Sequence, residues 1–318
     1  MTETPRIIPV SLILTTKNEA SNVPLFFQGV RASSVRPAEI VICDGGSDDG
    51  TVEVLRREAG DLPVTVLVEH GANIARGRNR AIEEASHYVL AITDAGCIID
   101  PFWLERITAP LLADETLHAV GGGYTLIGEN RVQRWTASAS MPLHNCDPES
   151  FLPSSRSFAA RRLSILDAGG YPEHLTFAGE DTALVLRMKE KGQRFVTRWD
   201  AMVHWYTRPT LRSFLRQHYY YGLGDGEARS HGERYARSAA KWAALPALLA
   251  ASLLYPLLLV LLPVLLFMYF LHLAPKYDWG KQPLQEAMGG FLFVALKEWS
   301  MLAGFLRGRM AGKKESAA

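Results

Sequence analysis

The pattern of apolar and polar positions changes character once along the chain. From residue 9 to about residue 125, short apolar runs alternate with amphipathic stretches. Residues 9–16, 39–43, 64–69, 88–93 and 118–123 read as strands, because they are brief, apolar and rich in β-branched side chains. Between them, residues 22–33, 51–59, 72–86 and 101–113 carry helical spacing. Ser21 or Asn22 is placed to cap the first helix, with Pro24 in its first turn. A later helix is expected over 182–191. Repeated strand-helix-strand spacing implies an α/β fold: a mostly parallel sheet with helices on both faces. Ligands of such sheets bind beyond the carboxyl ends of the strands.

The second pattern begins near Lys241. Residues 243–271 contain no charge and are dominated by Leu, Ala, Val and Phe. About 20 apolar residues suffice to cross a bilayer, so 243–273 is expected to be a transmembrane helix. Pro246, Pro256 and Pro263 predict kinks in it. A second apolar stretch, 286–306, is interrupted by Lys297 and Glu298. It reads as a second transmembrane helix or as a helix lying at the interface. Arg229, Arg234, Arg237 and Lys241 precede the first segment, and Arg307, Arg309, Lys313 and Lys314 follow the second. That bias favours a two-span hairpin with both ends in the cytoplasm. The expected organisation is a soluble domain over 1–228, a basic juxtamembrane segment over 229–242, the two apolar segments joined by a loop over 274–285, and a basic cytoplasmic tail over 307–318.

Composition narrows the function. Formal net charge is +1, so no global charge draws the chain to nucleic acid. Cys43, Cys97 and Cys146 have no metal-ligand or CxxC spacing and read as free thiols of a reducing compartment. The polar start, Met1 to Arg6, carries no secretory-signal pattern, which places the first domain in the cytoplasm. No G-x-G-x-x-G follows the first strand and no P-loop occurs; Gly121-Gly-Gly123 has no helix start behind it. What remains is acidic: Asp44 closes the second strand and Asp94 the fourth. Either alone is an ordinary turn residue, but together they mark one edge of the sheet.

On these residues the chain resembles the family 2 glycosyltransferases. The resemblance is carried by Ser11-Leu-Ile-Leu-Thr-Thr-Lys-Asn-Glu19, Ile40-Val-Ile-Cys-Asp-Gly-Gly-Ser-Asp-Asp-Gly-Thr51, Ala75-Arg-Gly-Arg-Asn-Arg-Ala-Ile82, Gly169-Gly-Tyr-Pro-Glu173, Gly179-Glu-Asp-Thr-Ala-Leu184 and Gln217-His-Tyr-Tyr-Tyr-Gly222. It implies the GT-A nucleotide-diphospho-sugar transferase fold and inverting transfer from a UDP- or GDP-sugar. With the membrane segments, it also implies a lipid-linked or cell-envelope acceptor at the inner membrane. By resemblance Asp181 is the catalytic base, with Glu180 positioning it or the acceptor. Thr15, Glu19, Asp44 and Asp94 face the donor nucleotide, and Arg78 and Asn79 approach it or brace its loop. Asp94 would hold Mg2+ or Mn2+, a hard cation suited to carboxylate and diphosphate oxygens. Two departures stand out: Gly45 and Gly96 occupy positions where relatives carry a second acid. His204 is a candidate extra metal ligand. Arg156, Arg216 and Gln217 are candidates for the acceptor and diphosphate side. No Gln-x-x-Arg-Trp sequence occurs, so polymer synthesis is not expected. The alternative is a degenerate transferase domain acting as a membrane-anchored scaffold. A nucleotidyltransferase is disfavoured because no glycine-rich basic loop follows the first strand.

Overall fold

The computed structural model describes residues 5–142, 146–175 and 178–315, so residues 1–4 of the polar start and 316–318 of the expected tail lie outside the described residues. The chain forms two compact units: Met1–Leu126 with Asp147–Tyr206, and Ile127–Cys146 with Thr207–Ala318.

The first unit opens with the expected alternation: β1 (Arg6–Thr16), α1 (Val23–Ala32), β2 (Val35–Asp44), α2 (Thr51–Ala59), β3 (Val64–Val68), α3 (Ile74–Glu84) and β4 (Val89–Ile92). Then follow β5 (Cys97–Ile99), α4 (Trp103–Ala113) and β6 (Ala119–Ile127). After α5 (Arg131–Ser138), which belongs to the second unit, come β7 (Phe158–Arg161), α6 (Arg162–Asp167), α7 (Glu180–Glu190) and β8 (Phe195–Tyr206). Among the described residues eight strands form one sheet, in the order β3-β2-β1-β4-β7-β6-β8-β5. The first four are parallel, whereas β7 runs antiparallel to both β4 and β6, and β5 to β8. The sheet is therefore mixed: its four parallel strands are those the spacing predicts, and the fifth expected strand, 118–123, is found as β6 in the antiparallel half.

Strand alternation builds a core on each face. Val10, Leu12 and Leu14 of β1 join Phe26 and Phe27 of α1, Leu55 of α2 and Trp103 of α4. Ile13 joins Ala81 and Ile82 of α3 and Leu184 and Val185 of α7 on the other face. The Gly121-Gly-Gly123 run lies within β6; a side chain at Gly122 would strike Ser157 Oγ. Glycine there serves packing.

The second unit contains α5, α8 (Leu211–Glu227), α9 (Gly232–Ser252), α10 (Leu258–Leu273), a 3-10 turn at Trp279–Lys281 and α11 (Leu284–Glu315). Gly222 and Gly226 of α8 lie against the backbone of α11, and Gly304 and Gly308 of α11 lie against that of α8. The run expected to be one helix over 243–273 is two helices, parted at 253–257 around Pro256. Proline lacks an N–H and disfavours helical geometry in the residue before it. Pro246 and Pro263 stay inside their helices. α10 has 16 residues, and the one described helix long and apolar enough to cross a membrane is Leu284–Ala311. α11 also takes in most of the segment expected as a separate basic tail.

Candidate active site

The site is organised around a buried arginine. Asn73 caps α3 by accepting the Arg76 N–H at 2.9 Å. Gly77 lets the helix approach β1; a Cβ there would come within 2.9 Å of Thr15 Cγ2. Thr15, expected at the donor nucleotide, is thus a packing partner of α3. This seats Arg78, whose side chain is 2% exposed. Its Nη1 donates to Glu180 Oε1 at 2.6 Å and its Nη2 to Asp94 Oδ1 at 2.8 Å. The guanidinium also lies 5.3 Å from the Tyr171 ring centre. Burial opposes the charge on Arg78, but the Asp94 and Glu180 carboxylates outweigh it and hold the guanidinium ionised. Burial, reinforced by the charge of Asp181, pushes the Glu180 carboxyl above the usual carboxylate range. Arg78, expected to approach the nucleotide or brace its loop, is a brace. It has no exposed surface to offer a substrate.

Asn79 is a second brace. Its Oδ1 accepts the Tyr171 N–H at 2.8 Å and its Nδ2 donates to the Tyr171 carbonyl at 2.8 Å. That clamp pins the Gly169-to-Glu173 turn to α3. Gly169 and Gly170 take φ of +83° and +67°, which favour glycine. A side chain at Gly170 would also meet Asn79 Oδ1 at 2.9 Å. The turn carries Tyr171 inward, where its hydroxyl meets Ser155 Oγ at 2.9 Å.

Glu180 and Asp181 open α7 behind Gly179, which has φ +92°. Adjacent helical residues point about 100° apart, so the two acids separate. Glu180 is buried against Arg78, whereas Asp181 is half-exposed. Asp181 Oδ1 accepts the Thr182 N–H at 2.8 Å and Oδ2 faces the Ser155 N–H at 3.4 Å. Both bonds orient the carboxylate and leave acceptor positions open.

Asp44, expected as a donor contact, sits at the end of β2. It is fully buried, and all four of its acceptor positions are filled. Oδ1 takes the Gly46 and Ser47 N–H groups at 3.0 and 2.8 Å; Oδ2 takes the Thr16 and Ser47 hydroxyls at 3.0 and 2.5 Å. Asp44 braces the loop after β2, and a nucleoside would have to displace one of those donors. The Gly45 departure is steric, since a Cβ there would sit 3.0 Å from the Ala72 carbonyl. Gly96 is the opposite case: the nearest atoms to a Cβ are Glu19 Oε2 and Trp205 Nε1, both 4.0 Å away. Glu19 accepts from Asn22 Nδ2 at 2.5 Å, so Asn22 precedes α1 without capping it through its side chain.

Asp94 is half-buried, with Arg78 on Oδ1 and Arg156 Nε 3.8 Å from Oδ2. Arg156 stacks 4.5 Å from the Trp205 ring. Sequence reasoning chose His204 on this strand; alternation makes its neighbour Trp205 the residue on the Asp94 side. Ala201, Val203 and Trp205 share one face of β8, and His204 turns to the other, where Nδ1 meets Thr125 Oγ1 at 2.5 Å. His204 is thus placed away from Asp94. Among the described residues no three carboxylate, imidazole or thiolate groups converge. A lone Asp94 still suits Mg2+ or Mn2+, because such ions are commonly held by one or two carboxylates together with substrate phosphates. Arg216 and Gln217 lie on α8 in the second unit; Arg216 stacks 5.5 Å from Tyr220, and Gln217 donates to the Tyr221 hydroxyl at 2.5 Å. Tyr171 and Trp205 were missed as site-builders, because only tertiary contacts bring them there.

Comparison with known proteins gives a consistent picture. Residues 11–171 match the family model described as Glycosyl transferase family 2. The chain is similar to Glycosyltransferase AglE of Haloferax volcanii, at 26% identity over 179 residues, 54% of this chain and 58% of the relative. It is also similar to Succinoglycan biosynthesis protein ExoA of Rhizobium meliloti, at 29% identity over 233 residues, 69% of each chain. In fold it is similar to mannosyltransferase PcManGT from Pyrobaculum calidifontis, solved in complex with GDP-Man and Mn2+. There the TM-score is 0.66 at 20% identity, covering 94% of this chain and 86% of that one. S. aureus TarS 1-349, solved with UDP-GlcNAc, gives a TM-score of 0.52 at 15% identity over 68% and 66% of the two chains. The matched region thus spans little more than half of AglE.

Proposed function

The chain belongs to glycosyl transferase family 2, and from that premise we propose that it transfers a sugar from a nucleotide-diphospho-sugar to an acceptor hydroxyl by direct, inverting displacement. The observation that carries this reading is the division of labour in the acid pair. Glu180 is spent on Arg78, and Asp181 is oriented by two backbone N–H groups with acceptor capacity to spare. Asp181 takes the proton of the acceptor hydroxyl as its oxygen attacks the anomeric carbon. Glu180, Arg78 and Asp94 form one rigid line behind it, which holds the attacking and leaving sides in register. Arg156, stacked on Trp205 beside Asp94, offers a guanidinium to the departing diphosphate. A divalent cation held by Asp94 would supply further positive charge there. The solved fold relatives, bound to GDP-Man and UDP-GlcNAc, support a GDP- or UDP-sugar donor. The apolar helices of the second unit support attachment to the cytoplasmic membrane and a lipid-linked or cell-envelope acceptor.

Asp181→Asn tests the assignment. It keeps size and an acceptor oxygen but removes basicity. Transfer should fall by about 10^2–10^4-fold, while calorimetric donor binding and Tm stay as in the parent. Transfer at the parental rate would sink the assignment of the base.

A further inference from the structure

The second unit bears on how the chain would meet a membrane, an inference that rests on the membrane attachment just proposed. At the start of the apolar part of α9, Lys241 Nζ donates to the Tyr269 hydroxyl of α10 at 2.8 Å and pairs with Glu298 of α11. Trp242 Nε1 donates to the same Glu298 carboxylate at 3.0 Å. The beginning of one apolar helix and the end of the next are therefore tied at one level. From that level the arms run from Lys241 to Ser252 and back from Leu258 to Tyr269. At about 1.5 Å per residue each arm reaches roughly 17 Å. The hydrocarbon core is about 30 Å thick. The hairpin reaches about halfway.

Its surface matches that depth. At the tip, Leu253, Leu254 and Leu257 are 78–85% exposed. Along the return arm, Leu259, Val260, Val264, Phe267 and Met268 are also exposed. The charged and aromatic groups Lys241, Trp242, Tyr269 and Glu298 gather at the base, the chemistry found where hydrocarbon meets headgroups. α11 completes the picture. One side packs closely along α8, which carries Arg212, Arg216, Asp225 and Glu227 and is too polar to sit in hydrocarbon. On α11, Lys297 is satisfied by the Ala139 carbonyl at 2.6 Å. Leu284, Met288, Leu292, Trp299, Leu306 and Met310 remain as an exposed apolar stripe at helical spacing.

We infer that the α9–α10 hairpin dips into a single leaflet and returns to the face it entered, while α11 lies along that face with its stripe in the headgroup boundary. The chain is then held on one side of the bilayer, and 274–285 lies on the same side as 229–242. The partner is an anionic leaflet, since basic residues flank both ends of the hairpin: Arg229, Arg234 and Arg237 before it, Lys276 and Lys281 after it. A two-span arrangement instead puts 274–285 on the opposite side.

Single cysteines decide between them in the full-length chain with Cys146→Ser, the two other native thiols being buried. Sealed membrane vesicles of both orientations are treated with a membrane-impermeant maleimide. Arg237→Cys and Lys281→Cys should label in the same vesicle orientation, and Leu257→Cys in neither until detergent is added. Labelling of Arg237→Cys and Lys281→Cys in opposite orientations, or of Leu257→Cys from the far side, would overturn the single-leaflet hairpin. A chain that stays in the supernatant after sedimentation, with Leu257→Cys labelling in free solution, would overturn the membrane attachment itself. Transfer measured on the same variants keeps the chemistry a separate question.

Discussion

In the first unit charge goes where apolar side chains usually go: Arg78 and Glu180 are almost fully buried. In the second unit the reverse holds, and Leu253, Leu254 and Leu257 stand open on the surface. Both invert the ordinary distribution of residues, and the inversions have different physics. A buried ion network is tolerated only when every charge has a partner, and it then fixes side chains to a fraction of an ångström. Exposed leucines are tolerated only when something apolar covers them. The first inversion makes a site rigid, and the second makes a surface that is complete only against a partner.

The largest test breaks the first inversion. Arg78→Met keeps length and apolar contact but strands the Glu180 carboxyl at 6% exposure and leaves Asp94 with Arg156 alone. Urea unfolding should show a loss of about 3–5 kcal/mol. A loss within error of zero would mean that the network is not held together by its arginine. In the second unit, Gly304→Val drives a side chain into the Tyr219 carbonyl at the close crossing of α8 and α11. Overpacking of this kind costs about 1–3 kcal/mol, read as a lower Tm in detergent. An unchanged Tm would show that the two helices are free to part.

Much of the first unit was legible because its signals are local. Residues 51–59 read as a helix and fold as one, and the strands ending at Thr16, Asp44 and Ile92 were visible as apolar runs. β5 and β7 are three and four residues long, too short to carry a period, so these two antiparallel strands went unseen, whereas β6 was visible over 118–123. The place of 127–146 in the second unit is a long-range contact that no local pattern encodes. In the site, the acid pair and its separate roles were legible from the resemblance, but the burial of Glu180 against Arg78 was not, because it depends on a contact between α3 and α7. One step along a strand exchanges His204 for Trp205. In the second unit composition disclosed the apolar run, but the break at 253–257, and with it the depth of the hairpin, depends on how Pro256 is accommodated.

A third test sharpens the contrast between Gly45 and Gly96. The space at Gly96 is open, with no atom nearer than 4.0 Å to a Cβ. Gly96→Asp should therefore fold as the parent does and add a carboxylate near Asp94. If Asp94 faces a cation, Mn2+ affinity measured calorimetrically with a nucleoside diphosphate should rise about tenfold, the gain of one anionic ligand. No change would remove the cation from Asp94.

The smallest effect separates a charge that serves a site from one that only ties strands together. Glu39 lies on β2 beside Ser11 of β1, remote in sequence from the acid pair. Its Oε1 takes the Ser11 hydroxyl at 2.5 Å, the Ser86 N–H at 2.6 Å and the Ser86 hydroxyl at 2.9 Å, with His87 Nδ1 at 3.2 Å. Burial opposes its charge, but these bonds outweigh burial and bring the carboxyl from 4.5 down to about 2. A carboxyl depressed on folding stabilises the fold above its unfolded value and loses that contribution as pH falls through the folded one. The contribution of Glu39 is thus present above about pH 4.5 and gone near pH 2. The side chain is 20% exposed, so solvent still screens it, and its size should be about 1 kcal/mol or less. Glu39→Gln should be slightly less stable than the parent at pH 6, and the gap should close as pH falls towards 3. A gap constant with pH would assign the difference to packing, and Glu39 would no longer stand as the charge whose role is purely structural.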